Sequence, residues 1–62
     1  MYEKYAKLRD SKRITDYRVA SDTGITKSTF TDWKNGRSKP KIKKMKILAD
    51  YFGVPIEYFF EE

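Results

Sequence analysis

Apolar residues recur along this chain at spacings of three and four, and the rhythm is broken at three glycines and two prolines. That is the pattern of short amphipathic helices joined by tight turns. Tyr2, Tyr5 and Leu8, with Ala6 beside them, predict a first helix over 2–12 whose wet side carries Lys4, Lys7, Asp10 and Lys12. Arg9, next to Leu8, is expected partly under the fold, where its guanidinium fork needs an acceptor. No glycine is available at the stop, so Lys12 or Arg13 is expected to take a positive φ at a cost of roughly 1 kcal/mol. Ile14 then turns into the core. Thr15 is placed to cap a second helix over 16–23, with Asp16 favourable in its first turn. Val19 and Ala20 point inward on that helix, while Tyr17, Arg18, Ser21 and Asp22 point out.

Gly24 lies at the break after the second helix, where a left-handed backbone costs glycine nothing. Ile25 anchors the bend, and the Thr26 hydroxyl is expected to accept from an unpaired amide of a third helix over 27–35. Phe30 and Trp33, three apart, share the inward face of that helix; at this spacing they are core residues rather than base-stacking ones. Lys27, Ser28, Thr31, Asp32 and Lys34 make a polar front. A short helix with an apolar back and a polar front, joined through glycine to a partner helix, is a helix-turn-helix arrangement. Gly36 stops the third helix, and the loop 36–41 holds Arg37, Lys39, Lys41 and Pro40. Ile42, Met45, Leu48, Ala49 and Phe52 form the apolar stripe of a fourth helix that ends at Gly53. Pro55 fits the first turn of a last short helix, from which Ile56 and Phe59, with Phe60 as a further candidate, close the core. The expected fold is all-α: five helices and no sheet.

Composition narrows the chemistry. Sixty-two residues predict one domain, 1–62, with a core near the lower limit for folding without staples. The absence of cysteine excludes disulfides and thiolate metal sites, and the absence of histidine removes the commonest general base. With no nucleophile-base pair, metal constellation or phosphate loop, no enzyme activity, cofactor or small-molecule substrate is expected. Apolar runs of only a few residues predict no membrane span and no secretory leader, hence a cytoplasmic protein. Nor is a second domain for ligand sensing or self-cleavage expected.

Charge adds direction. Between Lys27 and Lys46 the chain has eight bases (Lys27, Lys34, Arg37, Lys39, Lys41, Lys43, Lys44 and Lys46) and one acid, Asp32. After Lys46 come Asp50, Glu57, Glu61 and Glu62 and no base. One surface should be positive and the C-terminal part negative, which suits a polyanion approached from one side. The alternative is a merely solvated lysine-rich surface.

The chain resembles the phage-repressor and Cro-like, or XRE-type, helix-turn-helix family from Tyr5 to Phe60. The matching residues are Leu8-Arg9, Val19-Ala20, Gly24-Ile25-Thr26, Ser28-Thr29-Phe30, Trp33, Asn35-Gly36, Pro40, Leu48-Ala49 and Phe52-Gly53-Val54. The resemblance implies a compact five-helix lambda-repressor-like domain in which the second and third helices form the motif. It also implies operator binding, usually as a dimer, and transcriptional regulation in a bacterium or prophage. Three positions depart from the family pattern. Asp16 replaces a common glutamine that steadies a phosphate contact, and it would repel phosphate unless masked. Lys34 replaces a glutamate that pairs with the arginine matched by Arg9. Thr23 replaces an aliphatic residue.

In such a domain the third helix presents its N-terminal half to base edges in the major groove. The candidate base readers are Lys27 for guanine, Ser28 for several bases, Thr31 for a thymine methyl and Asp32 for cytosine N4. Asp32 has an alternative role, pairing with Lys27 or Lys34. The candidate phosphate contacts, which set register without reading sequence, are Tyr17, Arg18, Asn35, Arg37, Ser38, Lys39 and Lys41. The partner is then double-stranded operator DNA, expected to be pseudo-palindromic if a homodimer forms through Ile47, Tyr51, Tyr58 and Phe60. A rival role is a protein-interaction module, antitoxin- or antirepressor-like, acting through the aromatic stretch from Tyr51 to Phe60.

Overall fold

Four α-helices and a closing 3-10 turn follow one another in the computed structural model, which describes residues 1–60. The helices are α1 (Tyr2–Ser11), α2 (Asp16–Thr23), α3 (Lys27–Lys34) and α4 (Ile42–Phe52), and the 3-10 turn is Ile56–Phe59. The all-α expectation holds, but the fifth helix does not form as an α-helix. Pro55 stands at its cap (φ −68°, ψ 149°) rather than inside its first turn. With only four residues before the chain leaves the core, the tighter i to i+3 bonding is what fits.

Turn chemistry accounts for the helix ends. Thr15 caps α2, its hydroxyl accepting from the Arg18 amide at 3.2 Å. Gly24 takes φ 81°, and an added Cβ would meet nothing within 4 Å. The position therefore demands the left-handed backbone, not empty space. Three other ends share one pattern, in which an amide reaches back five residues to a carbonyl. Arg37 donates to Asp32 at 2.9 Å, Val54 to Ala49 at 3.0 Å and Ile14 to Arg9 at 3.3 Å. Glycine supplies the left-handed residue in the first two, and Arg13 (φ 56°) supplies it in the third, as the missing glycine predicted. Helix α3 stops one residue short of the expected 27–35, with Asn35 as its cap.

The core is one cluster. Tyr5, Val19, Phe30 and Leu48 are fully buried, joined by Ile25, Trp33, Ala49, Phe52 and Phe59. Tyr5 of α1 stacks on Phe30 of α3 with ring centroids 4.8 Å apart, and Phe30 meets Trp33 edge-on at 5.2 Å. Each such pair contributes about 0.5–1.5 kcal/mol beyond its buried area, so α3 is fixed by its back. Two predicted core positions are corrected. Ile42 is 60% exposed at the start of α4, and Phe60 is 54% exposed beyond the last turn. Thr23, the odd polar residue, donates its hydroxyl to the Val19 carbonyl at 2.7 Å and accepts from the Ile25 amide at 3.2 Å. It braces the bend that an aliphatic residue would only fill. Among the described residues no helix is long and apolar enough to cross a membrane.

Candidate nucleic-acid interface

Helix α3 presents Lys27, Ser28 and Thr31 on the side opposite Phe30 and Trp33, all three exposed. At 3.6 residues per turn, Ser28, Thr31 and Asn35 are aligned along that front. Its N-terminal turn differs from expectation. The Thr26 hydroxyl makes no bond to a backbone amide; it bonds Ser28 Oγ at 3.2 Å and Thr29 Oγ1 at 2.8 Å. The Thr31 hydroxyl donates to the Lys27 carbonyl at 3.3 Å, which leaves its methyl and oxygen lone pairs facing out.

Asp32 follows Thr31 on α3, next to the start of the loop. It is half-buried and lines a groove with Ser38, Lys39, Lys41, Lys43 and Lys44. The expected pairing with Lys27 or Lys34 does not form: among the described residues the three ion pairs are Arg9 with Asp10, Arg9 with Asp16, and Arg18 with Asp22. All of them lie before the bend. None of the eight bases from Lys27 to Lys46 is in an ion pair with a described residue.

The loop candidates Arg37, Ser38, Lys39 and Lys41 are exposed, as is Asn35. The backbone bond from Arg37 to Asp32 ties the start of the loop to α3. The loop bases and the α3 front are thus brought together. Tyr17 is 73% exposed near the start of α2. Arg18 does not join them: its Nε donates to Asp22 at 2.9 Å, and it lines a separate groove with Ile14, Tyr51 and Phe52. Asp22 holds the guanidinium in its charged form and raises its pKa. In turn Asp22 accepts from the Tyr51 hydroxyl at 2.5 Å, and this bond, ahead of the one from Arg18, lowers its own pKa.

Asp16 resolves two departures from the family pattern together. Its Oδ1 accepts from Tyr5 at 2.5 Å and from Arg9 Nη1 at 2.9 Å. The acid at the head of α2 is therefore masked from within, and Arg9 gains an acceptor that Lys34 does not provide. Arg9 also donates to Tyr2 at 3.2 Å and to Asp10 at 3.0 Å. The bond to Asp16 is the main reason the Arg9 pKa is pushed further up. Burial, then the bond to Asp16, pushes the Tyr5 hydroxyl well above the usual tyrosine range. The need of Arg9 for an acceptor was legible in the sequence, but the identity of that acceptor was not.

The proposed dimer residues differ in exposure. Ile47, Tyr51 and Tyr58 pack half-buried against the core. Tyr51 is held by Asp22 of α2, whereas the Tyr58 ring lies under the Lys4 ammonium of α1 at 5.1 Å. Phe60 is the exposed member. Glu61 and Glu62, half of the expected acidic tail, lie outside the described residues.

Comparison with known proteins points the same way. The model of the helix-turn-helix family matches residues 6–59. The chain is 26% identical over 55 residues to the HTH-type transcriptional activator BcrR of Enterococcus faecalis, covering 89% of this chain and 27% of that protein. It is 33% identical over 49 residues to the cryptic phage CTXphi transcriptional repressor RstR of Vibrio cholerae, covering 79% of this chain and 44% of that protein. The chain thus spans less than half the length of these curated relatives. No solved structure matches it significantly.

Proposed function

The chain belongs to the helix-turn-helix family, and from that premise we propose that it is a sequence-specific DNA-binding transcriptional regulator acting in the cytoplasm as one domain. One observation carries the proposal most directly. Eight bases from Lys27 to Lys46 stand without an ion-pair partner among the described residues, around a helix whose apolar side is locked into the core. Unpaired cations on a rigid rod suit a polyanion, whose released counterions supply most of the non-specific affinity.

Lys27, Ser28, Thr31 and Asp32 are the proposed base readers. Tyr17, Asn35, Arg37, Ser38, Lys39 and Lys41 hold phosphates. Arg18 would join them through the guanidinium nitrogens that its Nε bond to Asp22 leaves over. A two-fold dimer using Ile47, Tyr51, Tyr58 and Phe60 would read half-sites about 34 Å apart; sedimentation at micromolar concentration tests that assembly. A protein-interaction role has less support, because Tyr51 and Tyr58 are engaged within the fold.

Two measurements test the DNA-binding proposal. Affinity for a non-specific duplex should fall by orders of magnitude between about 50 and 200 mM salt. Binding without salt dependence, or none at low salt, would end the proposal. Lys27→Ala should cost about 1–3 kcal/mol on the preferred sequence and relax choice at one base pair. A uniform loss on all duplexes would make Lys27 a phosphate contact instead.

A further inference from the structure

The acid of the basic segment, like its bases, has no ion-pair partner among the described residues. Asp32 is the one carboxylate among the eight bases of the 27–46 segment. Ser38, Lys39, Lys41, Lys43 and Lys44 line its groove, yet no basic nitrogen of the described residues lies within ion-pairing distance of it. Its backbone position is fixed, since its carbonyl accepts from Arg37 and the next residue, Trp33, is buried. The carboxylate thus stands at the border between the α3 front and the basic segment, in the field of several lysines and neutralised by none.

We propose that Asp32 is a selectivity residue, placed to penalise DNA that offers it no amino donor and to spare DNA that offers a cytosine N4 or adenine N6 group. This deepens the DNA-binding proposal and rests on it. The physical reasoning has two parts. On an arbitrary duplex the lysines of the groove are drawn to phosphates, and the half-buried carboxylate beside them faces the same negative field. That repulsion is a cost common to all sequences. Where a base edge presents an amino group, the carboxylate accepts a charge-assisted hydrogen bond that offsets the cost. Selectivity then arises by weakening wrong sequences more than by strengthening the right one.

The isosteric variant Asp32→Asn separates this role from folding. It keeps the shape and an acceptor oxygen but loses the charge and adds donors. Asp50→Asn makes the same change in net charge from an exposed site on α4 outside the groove, and serves as the control. Non-specific duplex affinity at low salt should rise by about three- to tenfold for Asp32→Asn, with the gain shrinking as salt is added. For Asp50→Asn it should change much less. Selection from a random duplex pool should return a cytosine- or adenine-bearing position for the natural protein and lose that preference in Asp32→Ala, which has no acceptor, whereas Asn could still bond adenine N6 and N7.

Equal gains for the two variants would reduce Asp32 to net charge and overturn the proposal. So would an unchanged selected position, or unchanged non-specific affinity. Failure of the natural protein to bind any duplex would instead remove the DNA-binding proposal itself, so the two failures are distinguishable. Thermal unfolding of Asp32→Asn and Asp32→Ala at the natural temperature confirms that the variants are compared as folded proteins.

Discussion

Charge is used in opposite ways on the two sides of the bend at Gly24. Before it, acids and bases are interspersed and both arginines that lie within α-helices are paired: Arg9 reaches Asp10 and Asp16, and Arg18 reaches Asp22. Beyond it, eight bases up to Lys46 surround one acid, and none is in an ion pair among the described residues. The first region uses opposite charges to tie helices together: Asp16 links α2 to α1 through Tyr5 and Arg9, and Asp22 links α2 to α4 through Tyr51. The second region relies on the aromatic backs of Phe30 and Trp33 for its fixation and leaves its charges without ion pairs among the described residues. Under the proposed function, stability and recognition fall to different segments of a very small domain. The same side-chain types can tie down one helix and stay available on the next.

Substitutions on either side of the bend should have separable effects. The largest is expected beyond it. Reversing two loop charges, Lys39→Glu with Lys41→Glu, should lower duplex affinity by about a hundredfold or more, roughly 3 kcal/mol. Thermal unfolding followed by circular dichroism should be almost unmoved. A large drop in stability would mean that these lysines also hold the fold.

Before the bend the pattern should invert. Arg9→Met removes the partner of Asp16, and the pair is only 20% and 25% exposed at its two side chains. The cost in denaturant unfolding should be about 1–2 kcal/mol, below that of a fully buried pair because water still reaches it. A change near zero would show that Tyr5 alone satisfies Asp16.

The smallest effect is in pH dependence. Asp22 has its folded pKa depressed below the ordinary 3.8, so its contribution is present above pH 3.8 and fades as pH falls through the lower folded value. Tyr5 and Tyr51 have folded pKa values raised above 10.0, so their contributions are present below pH 10.0 and fade as pH rises beyond it. Tyr51→Phe should therefore flatten the acid limb and part of the alkaline limb of a stability profile measured by chemical denaturation. An unchanged acid limb would show that Arg18, not Tyr51, sets the Asp22 titration.

The sequence by itself determined what repeats within one turn of helix. Spacings of three and four located all four α-helices to within a residue or so, glycine marked three stops, and Thr15 marked a start. A missing glycine even predicted the left-handed Arg13. Such features depend on neighbours a few positions away, so local composition suffices to encode them.

Tertiary structure decided the partnerships. Tyr5 meets Asp16 across 11 positions and Tyr51 meets Asp22 across 29, distances over which only the crossing of helices chooses an acceptor. The same packing left Ile42 uncovered and set Asp32 in one groove with lysines of the loop and of α4. Periodicity identifies the side of a helix that is apolar. What lies against that side, and which charges end up facing one another, follows from how the helices pack.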